Sequence, residues 1–140
     1  MAHALFSHKI KQYNLANIKS SFCGINVEYG SNINDKSKQA LHKYGITRVC
    51  GKPVQIDGKH LAEFNVVVCM TEDQKQALEI MVAQKYLSKI MCIKDFCGYD
   101  IPDPYGGSQE VYDQCLIDID RAVNKIVEVL LGNGIAKRKK

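Results

Sequence analysis

The sequence has no charged leader followed by a long apolar run. Its longest strongly apolar stretches, Val66 to Met70 and Ile126 to Leu131, fall far short of the roughly 20 residues that a membrane span requires. A spanning segment is excluded on this reading, and the expectation is a soluble, cytoplasmic protein with no membrane partner. No Cys-x-x-Cys pair occurs among Cys23, Cys50, Cys69, Cys92, Cys97 and Cys115, and a chain of 140 residues with 46% apolar content needs no covalent staples. The cysteines are expected as reduced thiols. His3, His8, His42 and His60 show neither metal-ligand spacing nor clustering with acids, so no metal is expected, and no cofactor.

Positive charge is in modest excess, 19 basic against 15 acidic residues, and Lys137, Arg138, Lys139 and Lys140 supply four of the cations. The remaining body is near neutral. One domain over residues 1–132 is expected, followed by a basic tail over 133–140 that frays into solvent rather than touching nucleic acid.

Helical spacing of Ala4, Leu5, His8, Ile10 and Tyr13 places a first helix almost at Met1. Ile18 to Val27 reads as a strand around Phe22, Ile25 and Val27, leading into the turn-rich Tyr29, Gly30, Ser31 and Asn32. Asn34 or Asp35 caps a second helix through Ser37, Ala40, Leu41 and Tyr44, which Gly45 ends. A helical turn from Asp57 to Ala62 precedes Phe64 to Cys69, a β-branched run typical of a central strand buried on both faces. Thr71 with Glu72 and Asp73 opens a third long helix running to about Gln84. A further strand follows over Lys89 to Ile93. Ser108 caps a last helix carrying Val111, Cys115, Ile119, Ala122, Ile126 and Leu130 on one side, and Gly132 stops it. Strands alternating with helices imply an α/β fold around a mostly parallel sheet with three visible strands.

The chemistry concentrates in Ile101-Pro102-Asp103-Pro104-Tyr105-Gly106-Gly107-Ser108. Proline fixes its own φ and restricts the residue before it, so Asp103 sits on a stiff loop. A carboxyl held there beside an aromatic ring can donate a proton to a leaving oxygen and later take one from water. A plain turn explains the same residues about as well.

Asp103-Pro104-Tyr105-Gly106-Gly107 before a long C-terminal helix resembles the general-acid loop of low-molecular-weight protein tyrosine phosphatases of the bacterial type. Met1-Ala2-His3-Ala4-Leu5-Phe6 is similar to the helix after that family's catalytic loop, and Ser37 to Ile46, Phe64 to Thr71 and Lys89 to Phe96 extend the resemblance. It implies a three-layer, flavodoxin-like parallel sheet with helices on both faces, Asp103 as general acid and Tyr105 as a wall of the substrate cleft. The family hydrolyses phosphomonoesters through a cysteinyl-phosphate formed on Cys-x5-Arg, between its first strand and first helix. This sequence starts just after that element, so the first, central strand and the nucleophile are expected to be missing and the chain inactive as given. Phosphate needs backbone N–H groups at a helix N-terminus, an arginine fork and a thiolate held by the same field.

Cys115 to Arg121 satisfies Cys-x5-Arg literally. It lies inside the last helix, where positions six apart diverge, contains Asp118 and Asp120, and lacks glycine or asparagine, so it is rejected as a phosphate loop. The family's Ser-Ala-Gly brace reads Phe22-Cys23-Gly24 here, and its bracing histidine would fall near Gly51. Two readings follow: an incomplete copy of a phosphatase, or a pseudophosphatase acting as a binding or interaction module. An arsenate-reductase-like relative is a weaker alternative, since Cys92 and Cys97 read better as a strand thiol and a loop thiol. Completed by the missing loop, the chain would act on a phosphorylated protein or a small phosphomonoester. Without its central strand, self-association through an open sheet edge is plausible.

Overall fold

The computed structural model describes residues 1–25, 33–48 and 54–139. Helix α1 (Ala2–Gln12) opens the chain and buries Leu5 completely. Helix α2 (Asp35–His42) begins at Asn34, whose side chain accepts the Lys36 N–H at 2.8 Å. Gly45 takes φ +77° just beyond it, a conformation that a Cβ disfavours. Helix α3 (Gly58–Glu63) carries a reciprocal cap: Asp57 accepts from the His60 backbone, and the His60 ring accepts from the Asp57 N–H.

Strand β1 (Val67–Cys69) runs parallel to β2 (Ile90–Cys92) in the register Val67↔Ile90, Val68↔Met91 and Cys69↔Cys92. Between them lie α4 (Glu72–Met81), capped by Thr71, and a 3-10 turn over Gln84–Lys89. A short α5 (Lys94–Cys97) and the 24-residue α6 (Gln109–Gly132), capped by Ser108, complete the order. Apolar packing is divided by the strands. Val68 meets a cluster built from Leu5, Leu41, Ile93, Leu116, Ile119 and Val123, which joins α1, α2 and α6. Val67 and Cys69 meet a second cluster of Leu61, Leu78 and Ile90. Alternate residues of a strand face opposite ways, so one short strand serves both cores.

An α/β fold with a parallel sheet is thus present, with corrections in detail. Among the described residues the sheet has two strands rather than three. The stretch from Ile18 makes only an isolated parallel bridge, Gly24↔Gln55, with Gly24 donating to Val54 and Ile56 donating to Gly24. A strand persists only where a neighbour takes its N–H and C=O groups, and one bridge does not supply that. The remainder of that segment and the Tyr29 to Asn32 turn fall outside the described residues. β1 begins at Val67 instead of Phe64 and pairs on one side only, so in the described sheet it is an edge and not central. Helix α4 ends at Met81, three residues short of the expected stop. On α6 the buried set is Tyr112, Cys115, Leu116, Ile119, Ala122, Val123 and Val127, while Val111 is 47% exposed.

The basic end does not fray over 133–139. Gly134 takes φ +69° after α6, and the chain returns to bond the segment after α1. Leu15 and Arg138 form an antiparallel bridge, Ala16 donates to Lys137 at 2.9 Å, and Lys139 donates to Asn14 at 2.7 Å. The Asn17 side chain also accepts from the Lys137 N–H. Ala136 and Leu15 are each 3% exposed and belong to the larger core. Packing of two apolar residues and four backbone groups outweighs the repulsion of neighbouring cations in water.

Candidate active site

The loop from Ile101 to Ser108 is fixed at both ends. Ile101 is buried and donates to the Met70 carbonyl at 2.9 Å, which anchors the loop just past β1. At the other end Ser108 caps α6. Between them the Asp103 carboxylate accepts the Tyr105 N–H at 3.0 Å, and Gly107 donates to Pro104 at 2.9 Å. These are the local bonds by which an aspartate next to proline organises a turn. Gly106 adopts φ +83°, and Gly107 leaves no room for a side chain, since a Cβ there would lie 2.8 Å from Val111 and 2.9 Å from the Pro104 carbonyl. Tyr105 stands out from the surface, 82% exposed.

Helix α2 holds this loop from the side. Lys36 donates from Nζ to the Gly107 carbonyl at 2.6 Å, and Gln109 donates to the Lys36 carbonyl at 3.0 Å and to Asp113 at 2.8 Å. Lys43 completes the clamp with an ion pair to Asp113. None of these contacts was foreseen from the sequence: those of Lys36 and Lys43 join residues some 70 positions apart and carry no local pattern, and the Gln109 to Asp113 bond within α6 serves them.

Asp103 and Tyr105 line a cleft of about 740 Å³ together with Met1, His3, His8, Lys11, Arg48, Tyr112 and Cys115. The start of α1 therefore faces the acid loop. Burial pushes the Met1 amino group below its ordinary range, while Cys115 and Asp103 pull it upward, which places these three groups near one another. Burial raises the Tyr112 hydroxyl, with Asp103 and Tyr105 adding to it. His3 is lowered by burial, then by the Met1 amino group; its ring is joined to Ser20 by a hydrogen bond of 2.8 Å and lies 4.9 Å from the Phe22 ring. At the Ser-Ala-Gly position an aromatic ring thus meets α1, and the hydroxyl that reaches this helix comes from Ser20. The position near Gly51 lies outside the described residues.

Among the described residues Cys115 is the thiol that lines the cleft, and it is poorly suited to attack. It is 8% exposed on α6, and burial raises its pKa, reinforced by Asp118 and Asp103 against the Met1 amino group. A thiol is nucleophilic as thiolate. Arg121 shares the helix but is exposed, so the literal Cys-x5-Arg match does not form a loop. Cys92 is fully buried, donates toward Asp100 at 3.4 Å, and is raised chiefly by burial. Cys97 donates to the Ile93 and Tyr99 carbonyls. Among the described residues no group of three His, Cys, Asp or Glu is arranged to hold a metal ion. No described helix is long and apolar enough to cross a membrane.

The family model of low molecular weight phosphotyrosine protein phosphatase matches residues 1–137. The chain belongs to that family. Low molecular weight protein-tyrosine-phosphatase PtpB of Staphylococcus epidermidis is 27% identical over 101 residues, which span 69% of this chain and 68% of the relative. In three dimensions the chain is similar to the low molecular weight phosphotyrosine phosphatase of Vibrio cholerae, with a TM-score of 0.88 at 22% identity, covering 96% of this chain and 89% of the other. The YwlE arginine phosphatase of Geobacillus stearothermophilus gives 0.84 at 24% identity, covering 94% and 84%. Likeness at these identities establishes the common α/β fold. The phosphatase-family membership rests on the sequence match.

Proposed function

We propose that this phosphatase-family chain carries the acid side of a phosphomonoester site, with Asp103 as general acid and Tyr105 as cleft wall, and is inactive by itself. The observation that carries this reading is the cleft: it is bordered by the Asp103 loop and the start of α1, yet among the described residues the thiol that lines it is the buried Cys115, whose pKa burial raises. The division of the core by β1 supports a three-layer, flavodoxin-like arrangement, in which the first, central strand would lie along the free edge of β1. That strand and a Cys-x5-Arg loop would complete the site. The completed protein would take a phosphorylated protein or a small phosphomonoester, and the arginine phosphatases among its structural neighbours make phosphoarginine a substrate to include.

Hydrolysis of an aryl phosphate by the chain as given should not exceed the uncatalysed rate, and Asp103→Asn and Cys115→Ser should change nothing. Turnover abolished by Asp103→Asn would overturn the inactive reading and show that a nucleophile is present. Appending a strand that ends in a Cys-x5-Arg loop before Met1 should then confer turnover that Asp103→Asn removes. A second reading, a pseudophosphatase that binds without hydrolysis, is favoured by the aromatic Phe22 where a bracing serine would stand. It predicts retention of phosphorylated ligands without their loss.

A further inference from the structure

Residues 1–27 contain no aspartate or glutamate, and neither do residues 129–140. Either fact alone is unremarkable for a short stretch. The fold joins the two stretches, because the Leu15↔Arg138 bridge and the Asn17 side chain tie residues 135–139 to the turn after α1. Five exposed cations lie along the joined segments, Lys11, which also borders the cleft, and Lys19 on one, and Lys137, Arg138 and Lys139 on the other. The nearest carboxylates in sequence on α6 are engaged elsewhere, Asp120 with Lys9 and Glu128 with Lys125. Fixed on a backbone that is itself hydrogen-bonded, these charges keep their separation and cannot disperse as they would on a frayed tail.

Apolar side chains stand in the same region. Ile135, at the turn that leads into the bridge, is 52% exposed, and Val129 on the last turns of α6 is 43% exposed. Lysine and arginine around an exposed aliphatic side chain suit a surface that offers both anionic headgroups and an apolar layer beneath them. Single-stranded nucleic acid would call for aromatic rings on which bases stack, and residues 129–140 contain none. We propose that the clasped segments form a docking face for an anionic lipid bilayer, with Ile135 entering the headgroup boundary and the five cations pairing with lipid phosphates and carboxylates. The contact is peripheral and reversible, and it departs from the sequence expectation of no membrane partner, which took the basic end to be frayed. It is independent of any phosphatase chemistry.

The test is co-sedimentation of the full chain with vesicles of phosphatidylcholine alone or mixed with phosphatidylserine. Binding should require phosphatidylserine and be released by salt. Replacing Lys137, Arg138 and Lys139 together by glutamine leaves the backbone bonds available and should weaken partitioning by about a hundredfold. Lys19→Gln, remote from the bridge, should weaken it severalfold, which guards against a folding defect in the triple variant. Ile135→Ser should cost about tenfold. Absence of binding to phosphatidylserine vesicles would overturn the proposal. So would binding that is insensitive to Ile135→Ser and matched by duplex DNA at the same salt, since that outcome describes a face that reads charge alone.

Discussion

Gly107 and Gly58 make a paired test of how the loop is held. A methyl group at 107 would press on the Val111 side chain and on the Pro104 carbonyl at under 3 Å, and the carbonyl belongs to the backbone of the loop and cannot give way without shifting it. Gly107→Ala should therefore lower stability by about 1–3 kcal/mol, the usual range for forced overpacking. At Gly58, in the first turn of α3, a Cβ meets nothing within 4 Å and the backbone needs no positive φ. Gly58→Ala should raise stability by about 0.4–1 kcal/mol, because it narrows the unfolded ensemble. Thermal unfolding midpoints that move in opposite directions would bear this out, and equal losses would show that the steric reading of the loop is wrong. Asp103, Tyr105 and the rigidity of their loop were legible in the sequence, since proline and glycine act locally. The partners that hold the loop, Lys36 and Gln109, were not, because a lysine in a first helical turn looks alike whether it reaches a carbonyl or water.

Between elements, the clamp of α2 on α6 gives a pH dependence with a definite sign. Its ion pair with Lys43 holds the Asp113 carboxyl below its ordinary value of 3.8, with the Gln109 amide helping. A depressed folded-state pKa means that the contribution is complete above the ordinary value and is lost as pH falls from there through the lowered one. Denaturant unfolding followed from neutral pH downward should show no change from this group until roughly pH 4, then a decline that Asp113→Asn removes. A decline of equal depth in that variant would assign it to other carboxylates. The helices themselves were well anticipated, α2, α4 and α6 by their caps at Asn34, Thr71 and Ser108. Strands fared worse. A strand is completed by its neighbours, and among the described residues the stretch 18–25 pairs at a single point, Gly24 beside Gln55, which no local pattern announces.

Across the whole molecule, the free side of β1 is the feature with the widest reach. Val66, just before it, is 48% exposed, and among the described residues no strand pairs with β1 on that side, so the edge invites a second chain. Sedimentation velocity over a range of concentrations should show self-association, and Val66→Lys should suppress it by placing a charge at the edge. Concentration-independent monomers for the unaltered chain would show that this edge is closed in solution. The alternation of strand and helix patterns implied an α/β fold with a parallel sheet, and the division of the apolar residues into two clusters came from the structure. The docking of the basic end was not, because composition reports charge and Ala136 is too small to advertise a core position.

The clasp between Leu15 and Arg138 also governs when the protein can finish folding. Leu15 is synthesised well before Ala136, which shares its core cluster and lies in the segment that bonds beside it. While translation proceeds, the floor of the larger core must wait with that side chain in water, open to a chaperone or to a neighbouring nascent chain. Only after residues 135–139 leave the ribosome can the clasp close, so the larger core stays open at this side until they have been made.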